Sequence, residues 1–141
     1  MPLLCLFHGL RLAEAAGLRV EDVGEEAGVP VLHIRPYEGR TLKTVDARAT
    51  LPVHPELLRL GFAAFVGVRR EAEELLLFPD GAASKGREVG GNLGAWFSRH
   101  VRRLELVGTK LGMHSFRHNF EDALREAQLA DWSALEKLVQ F

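Results

Sequence analysis

The stretch "VPVLHI", residues 29–34, is a short run rich in β-branched residues with His33 as its only polar side chain, and it reads as a half-buried strand. Apolar residues on either side of it recur at helical spacing instead. The chain must therefore pass from helix to sheet and back again. A single strand is not stable alone, so partners are needed nearby. Gly39 turns the chain after "RPYEG", and "RTLKT" (40–44) and "ATLPVH" (49–54) read as two further short strands. The expected fold class is α+β, mostly α-helical, with a small antiparallel three-stranded sheet inserted after the first helices.

The helices come from spacing and from their stop signals. Leu3 to Leu18 is helical in pattern, with Gly9 and Gly17 as breaks, and "RVEDVGEEAG" (19–28) reads as a turn. Pro55 suits a first helical turn, and "ELLRLGFAAFVGVRREAEE" (56–74) continues that helix. "LLLFPDG" is a short apolar run ending in a turn. A helix from Leu93 to Leu104 places Leu93, Trp96, Phe97, Val101 and Leu104 on one face, beside Arg99, His100, Arg102 and Arg103. Ser115 is positioned to cap a helix through "FRHNFEDALREA", and "DWSALEKLVQF" reads as a last short helix.

At 141 residues the chain is expected to form a single domain, residues 1–141. It is 47% hydrophobic and 26% charged, ordinary values for a globular protein, and its formal net charge of −1 announces no global basic field. A local basic face remains compatible with that total. One cysteine, Cys5, excludes an internal disulfide and a cysteine-rich metal site, and a reduced, cytoplasmic setting is expected. "MPLLCLFHGL" is apolar but short and lacks a basic lead-in, so it suits neither a signal peptide nor a membrane span. It reads as a buried helix entered part-way along, as in a chain cut from something longer.

Three stretches carry candidate chemistry. In "LGMHSFRHNF" (111–120), His114 and Arg117 lie three apart and share a helix side. An arginine fork matches two phosphate oxygens, and a histidine adds a donor or a titratable proton. His114 and His118 at i, i+4 also suit a metal with Glu121 as third ligand, although Ser115 and Phe116 stand where a zincin carries its glutamate. The same residues equally fit an ordinary amphipathic helix with Phe116 and Phe120 inward. In "FHGLRLAEAAGL", Arg11 follows the Gly9-Leu10 pair inside an apolar context, which is costly without a partner. Either an ion pair to Glu14 or an anionic ligand meets that cost. In "RTLKTVDARATLPVHPELLRL", Lys43 occupies a hairpin, where lysines are ordinarily just solvated.

Taken in this order and at these separations, the three stretches resemble the catalytic domain of the tyrosine recombinases, the phage integrase family. "GLRLAEAAGL" matches its first-arginine box, "LKTVDARATLPVHPEL" its lysine hairpin leading to a Pro-initiated helix, and "HSFRHNF" its His-x-x-Arg box. The resemblance spans essentially the whole chain and implies an incomplete catalytic-domain fold of the DNA breaking-rejoining type. It implies that Arg11 and Arg117 grip the scissile phosphate, where preorganised guanidinium groups stabilise charge on the nonbridging oxygens. Lys43 would act as general acid toward the leaving 5′ oxygen, and His114 would assist proton transfer and phosphate binding. Glu14 would orient Arg11, and His118 would support Arg117 by packing or a hydrogen bond.

The resemblance also has gaps. Family members continue with a Gly-His box and a tyrosine that attacks phosphorus and holds a covalent 3′-phosphotyrosine. This chain ends at "LEKLVQF", and its only tyrosine, Tyr37, falls in the first hairpin, where no family nucleophile sits. The expectation is a core fragment that holds the phosphate cluster, lacks the nucleophile and is inactive alone. The alternative is a non-catalytic DNA-binding or interaction remnant of a recombinase. The implied partner is double-stranded DNA, with homo-oligomers on DNA in the full-length parent, no membrane, no metal and no cofactor. Arg40, Arg48, Lys85, Arg87 and Arg99 are the candidate DNA contacts, within the basic sets Arg35, Arg40, Lys43, Arg48 and Lys85, Arg87, Arg99, Arg102, Arg103.

Overall fold

The computed structural model describes residues 1–37, 48–83, 86, 88–106 and 111–127. In chain order its elements are helices α1 (Pro2–His8) and α2 (Leu12–Ala16) and strands β1 (Val23–Glu26), β2 (Val29–Ile34) and β3 (Ala49–Pro52). Helices α3 (Pro55–Arg59), α4 (Phe62–Glu71), α5 (Gly91–Arg103) and α6 (Met113–Glu126) follow. The fold is mixed α+β, mostly helical with one small three-stranded antiparallel sheet. No helix among the described residues is long and apolar enough to cross a membrane. The described residues form two compact units, residues 1–17 with 78–127, and Leu18–Leu77.

The first unit is helical. Pro2 starts α1, where its missing N–H costs nothing, and Gly9 ends it in the left-handed region at φ 59°. Gly17 ends α2, so both glycines act as the breaks their positions suggested. Leu4, Cys5 and His8 are the buried residues of α1, which lies against α6. Leu10, Glu14, Ala15, Ala16, Val101 and Met113 are buried with them. Phe97 on α5 meets Phe116 on α6 with ring centroids 5.4 Å apart. Burial pushes the Cys5 thiol up to about 11, so it behaves as a small core hydrophobe and not as a nucleophile.

Two local expectations in this unit need correction. The stripe on α5 is narrower than its spacing implied. Val101 is buried and Phe97 half-buried, but Trp96 and Leu104 are half exposed. Trp96 instead stacks on His100 along the helix surface, centroids 5.3 Å apart and planes 8° from parallel. Ser115 does not cap α6 either. Gly112 holds the cap position, and the Ser115 hydroxyl reaches back to accept from the Gly112 N–H at 3.2 Å.

The second unit is built on the sheet, in the order β1-β2-β3. β2 is the stretch at 29–34, and it is central. Its Val31, Leu32 and Ile34 are buried together with Leu51 of β3, and Leu18, Val20, Val53, Leu57, Phe62, Val66 and Leu77 extend this core. β1 lies in the segment read as a turn. "VGEE" offers little apolar pattern, yet antiparallel pairing with β2 makes it a strand. The reversal is a two-residue hairpin at Ala27-Gly28, whose φ values of 49° and 80° are the positive pair such turns require. The helix expected from Pro55 to Glu74 is two helices, α3 and α4, separated at Leu60-Gly61. The expected strand 40–44 and the final helix 131–141 lie outside the described residues.

Asp22 anchors the sheet unit. It is fully buried, and its carboxylate accepts from the Arg19 N–H at 2.9 Å, from Arg35 Nε at 2.8 Å and from the Tyr37 hydroxyl. The Arg19 guanidinium lies over the Tyr37 ring, 3.6 Å from its centroid. A buried carboxylate is tolerable only with partners of this kind.

The turn at Gly9 gives a direct test of the first unit. A Cβ added there would collide with the Phe120 ring, on a backbone that disfavours side chains. We expect Gly9→Ala to destabilise the protein by about 2–4 kcal/mol, the sum of left-handed strain and overpacking. In a Phe120→Ala background the penalty should shrink to about the strain alone, about 1–2 kcal/mol. Urea unfolding of the four proteins measures this, and equal penalties in both backgrounds would refute the contact.

Candidate functional site

Arg11 stands at the N-cap of α2 in extended conformation. Its own N–H donates to Glu14 Oε2 at 2.7 Å, and its Nη1 donates to Glu14 Oε1 at 2.8 Å. Glu14, three residues into the helix, thus serves both ends of Arg11. The Glu14 side chain is only 9% exposed and that of Arg11 37%, so the carboxylate forms the inner member of the pair. Such an arrangement fixes the direction of the guanidinium before any ligand arrives.

Arg117 lies in the second turn of α6. Its Nη1 donates to the Gly9 carbonyl at 2.5 Å, and its Nε pairs with Glu121 Oε1 at 2.8 Å. Gly9 is two residues before Arg11, so the guanidinium of α6 is tied to the turn that presents the first arginine. His114, exposed, precedes Arg117 by one turn, and its ring meets that of His118 edge-on with centroids 4.5 Å apart. His118 Nδ1 lies 3.4 Å from Glu121 Oε2. One carboxylate therefore sits between Arg117 and His118.

Arg11, Glu14, His114, Arg117 and His118 all belong to the first unit, and the bond from Arg117 to Gly9 links their two segments. Lys43, Arg40, Lys85 and Arg87 lie outside the described residues. Arg48 is exposed at the approach to β3, and Arg99 is exposed on α5 together with Arg102 and Arg103. Arg35, counted by sequence in a basic set, is tied to Asp22, whose hydrogen bond raises its pKa further. The role of Glu121 was missed: sequence offered it as a metal ligand, whereas its i, i+4 spacing from Arg117 is also an ion-pair spacing. Among the described residues no three His, Cys, Asp or Glu side chains form a set able to hold a metal ion.

Chemically, the two segments offer two oriented guanidinium groups and two imidazoles, with carboxylates that hold the arginines in place. An incoming oxyanion would compete with Glu121 for Arg117. Tyr37 is in the other unit and is not poised for attack. Burial first, and then the Asp22 carboxylate it donates to, push its hydroxyl up to about 12. Compared with known proteins the chain finds no match: no family model fits it, and no curated protein or solved structure matches it.

Tyr37 is the only tyrosine, so its ionisation is directly visible in ultraviolet absorbance. We expect a midpoint near 12 in the native protein and near 10 after denaturation. Between those values the folded state keeps a proton that the unfolded state has released, so stability falls as pH rises. Tyr37→Phe should remove this part of the alkaline loss. A native midpoint near 10 would show that the bond to Asp22 does not hold the phenol.

Proposed function

We propose that this chain is the phosphate-binding part of a tyrosine-recombinase catalytic domain, acting on double-stranded DNA in the cytoplasm in site-specific recombination or integration. The observation that carries this reading is the bond from Arg117 to the Gly9 carbonyl, which joins the His-x-x-Arg helix to the first-arginine turn. The resemblance requires those two boxes to serve one phosphate. Arg11 and Arg117 bind the nonbridging oxygens of the scissile phosphodiester and stabilise the charge that builds there. Glu14 holds Arg11 in direction, His114 assists proton transfer, and His118 supports Arg117 through Glu121. Lys43 protonates the 5′ oxygen as the phosphorus–oxygen bond breaks.

The covalent step needs a tyrosine whose oxygen bonds to phosphorus while that 5′ oxygen leaves. Tyr37 is held by Asp22 as a neutral phenol, so the nucleophile must come from another polypeptide or from a longer form of this one. A homo-oligomer on DNA is one way to supply it. The same observation favours a second reading, a recombinase remnant that binds DNA without cutting it. The two readings share the phosphate cluster and differ only in the covalent step.

We expect Arg11→Gln and Arg117→Gln each to weaken duplex binding about tenfold or more and to lower the salt slope of log K by about 1. Fluorescence anisotropy across a salt series measures both. A nicked suicide substrate should trap no covalent adduct with this polypeptide alone. Unchanged binding in both variants would overturn the phosphate site, and a trapped adduct would overturn the claim that Tyr37 is not a nucleophile.

A further inference from the structure

The sheet carries a second set of groups suited to an anion. β2 and β3 pair with His33 opposite Thr50 and Ile34 opposite Ala49. Continued by one residue, that register sets Arg35 across from Arg48. All six of these residues line an open pocket of about 280 Å³ within the second unit. Like charges facing each other across two strands are unfavourable, so this pairing breaks a local rule of sheet construction. Asp22 balances Arg35. Arg48 is exposed and has no carboxylate within ion-pair distance among the described residues.

The remaining donors agree with this placement. His33 Nδ1 and the Thr50 hydroxyl share a hydrogen bond at 3.2 Å, and His33 Nε2 lies 3.8 Å from Glu26 Oε1. Gly24 on β1 faces the same histidine, and a Cβ there would come within 3.3 Å of Nε2. Two guanidinium groups, a hydroxyl and an imidazole at one opening match the oxygens of a phosphate better than a single flat carboxylate. The opening is wide for a free ion, so the phosphate is best supplied as part of a larger chain.

We propose that the pocket of His33, Arg35, Arg48 and Thr50 binds a backbone phosphate of duplex DNA, separate from the phosphate served by Arg11 and Arg117. The choice of DNA rests on the reading above; the pocket itself does not. Arg48 supplies the unbalanced charge. Arg35 is fixed in direction by Asp22 and the Tyr37 hydroxyl, and Thr50 adds a neutral donor. The site anchors DNA and takes no part in bond breaking.

The test uses the intact chain, with inorganic phosphate and a duplex of about 20 base pairs as probes. The variants are Arg48→Gln, Thr50→Val and, as reference, Arg117→Gln. Arg48 is exposed and faces Arg35, so its replacement should leave the thermal midpoint unchanged or raise it slightly. Inorganic phosphate should shift the NMR signals of His33 and Thr50 in the parent and in Arg117→Gln, but not in Arg48→Gln. Duplex affinity should fall about tenfold in Arg48→Gln, with a salt slope lower by about 1, and by less in Thr50→Val. If Arg117→Gln weakens the duplex while Arg48→Gln and Thr50→Val do not, the pocket is refuted and the arginine cluster stands. If Arg48→Gln weakens it and Arg117→Gln does not, the pocket stands and the cluster reading fails. Phosphate shifts that persist in Arg48→Gln would also refute the pocket.

Discussion

The hydrogen bond from Arg117 to the Gly9 carbonyl joins residues 108 positions apart, and much of the first unit depends on it. The carbonyl belongs to the end of α1, where backbone acceptors lack helical partners and carry the negative end of the helix dipole. A guanidinium there satisfies an acceptor, meets favourable charge and binds α6 to α1 at once. Phe120, one turn after Arg117, covers the bare Cα of Gly9, so the close approach needs glycine on one side and an aromatic ring on the other. Glu121 then holds the same guanidinium from its own helix. The orientation of Arg117 is thus decided before any ligand is present.

The second unit is organised around the opposite charge. Asp22 is a buried anion, and three donors from Arg19, Arg35 and Tyr37 converge on it. Replacing such a carboxylate with a neutral group strands its cation partners, which is why buried pairs are costly to break even when their net contribution is small. Arg35 and Tyr37 follow the last residue of β2, so this contact also fixes the direction in which the chain leaves the central strand. The two units solve one problem differently. In the first a cation is held by a carbonyl and a carboxylate; in the second a carboxylate is held by cations and a phenol.

How far the sequence revealed this depends on the range of each interaction. β2 was legible because a short β-branched-rich run such as Val29–Ile34 is a local property, and the ends of α1 and α2 were legible because Gly9 and Gly17 punctuate them. β1 was not, since "VGEE" becomes a strand only through its pairing with β2. The break at Leu60-Gly61 was hidden by apolar spacing that continues across it. Within the site, the Arg11–Glu14 pair follows from spacing, as does the common helix side of His114 and Arg117. The bond from Arg117 to Gly9 has no signature in either segment. It exists only once α6 has packed on α1, as does the demand that Phe120 makes on Gly9.

The pairing of α1 with α6 bears on how the chain is made. Ribosomes add about 5–20 residues each second, so α1 emerges about 5–20 s before the helix that will cover it. Leu18–Leu77 includes every strand described and has been synthesised well before then. Its contacts close over shorter loops, which favours early formation. During synthesis the apolar side of α1, with Leu4 and Cys5, waits uncovered. A nascent chain of this design presents a short sticky segment for seconds, a natural stopping place for a chaperone that reads exposed leucines.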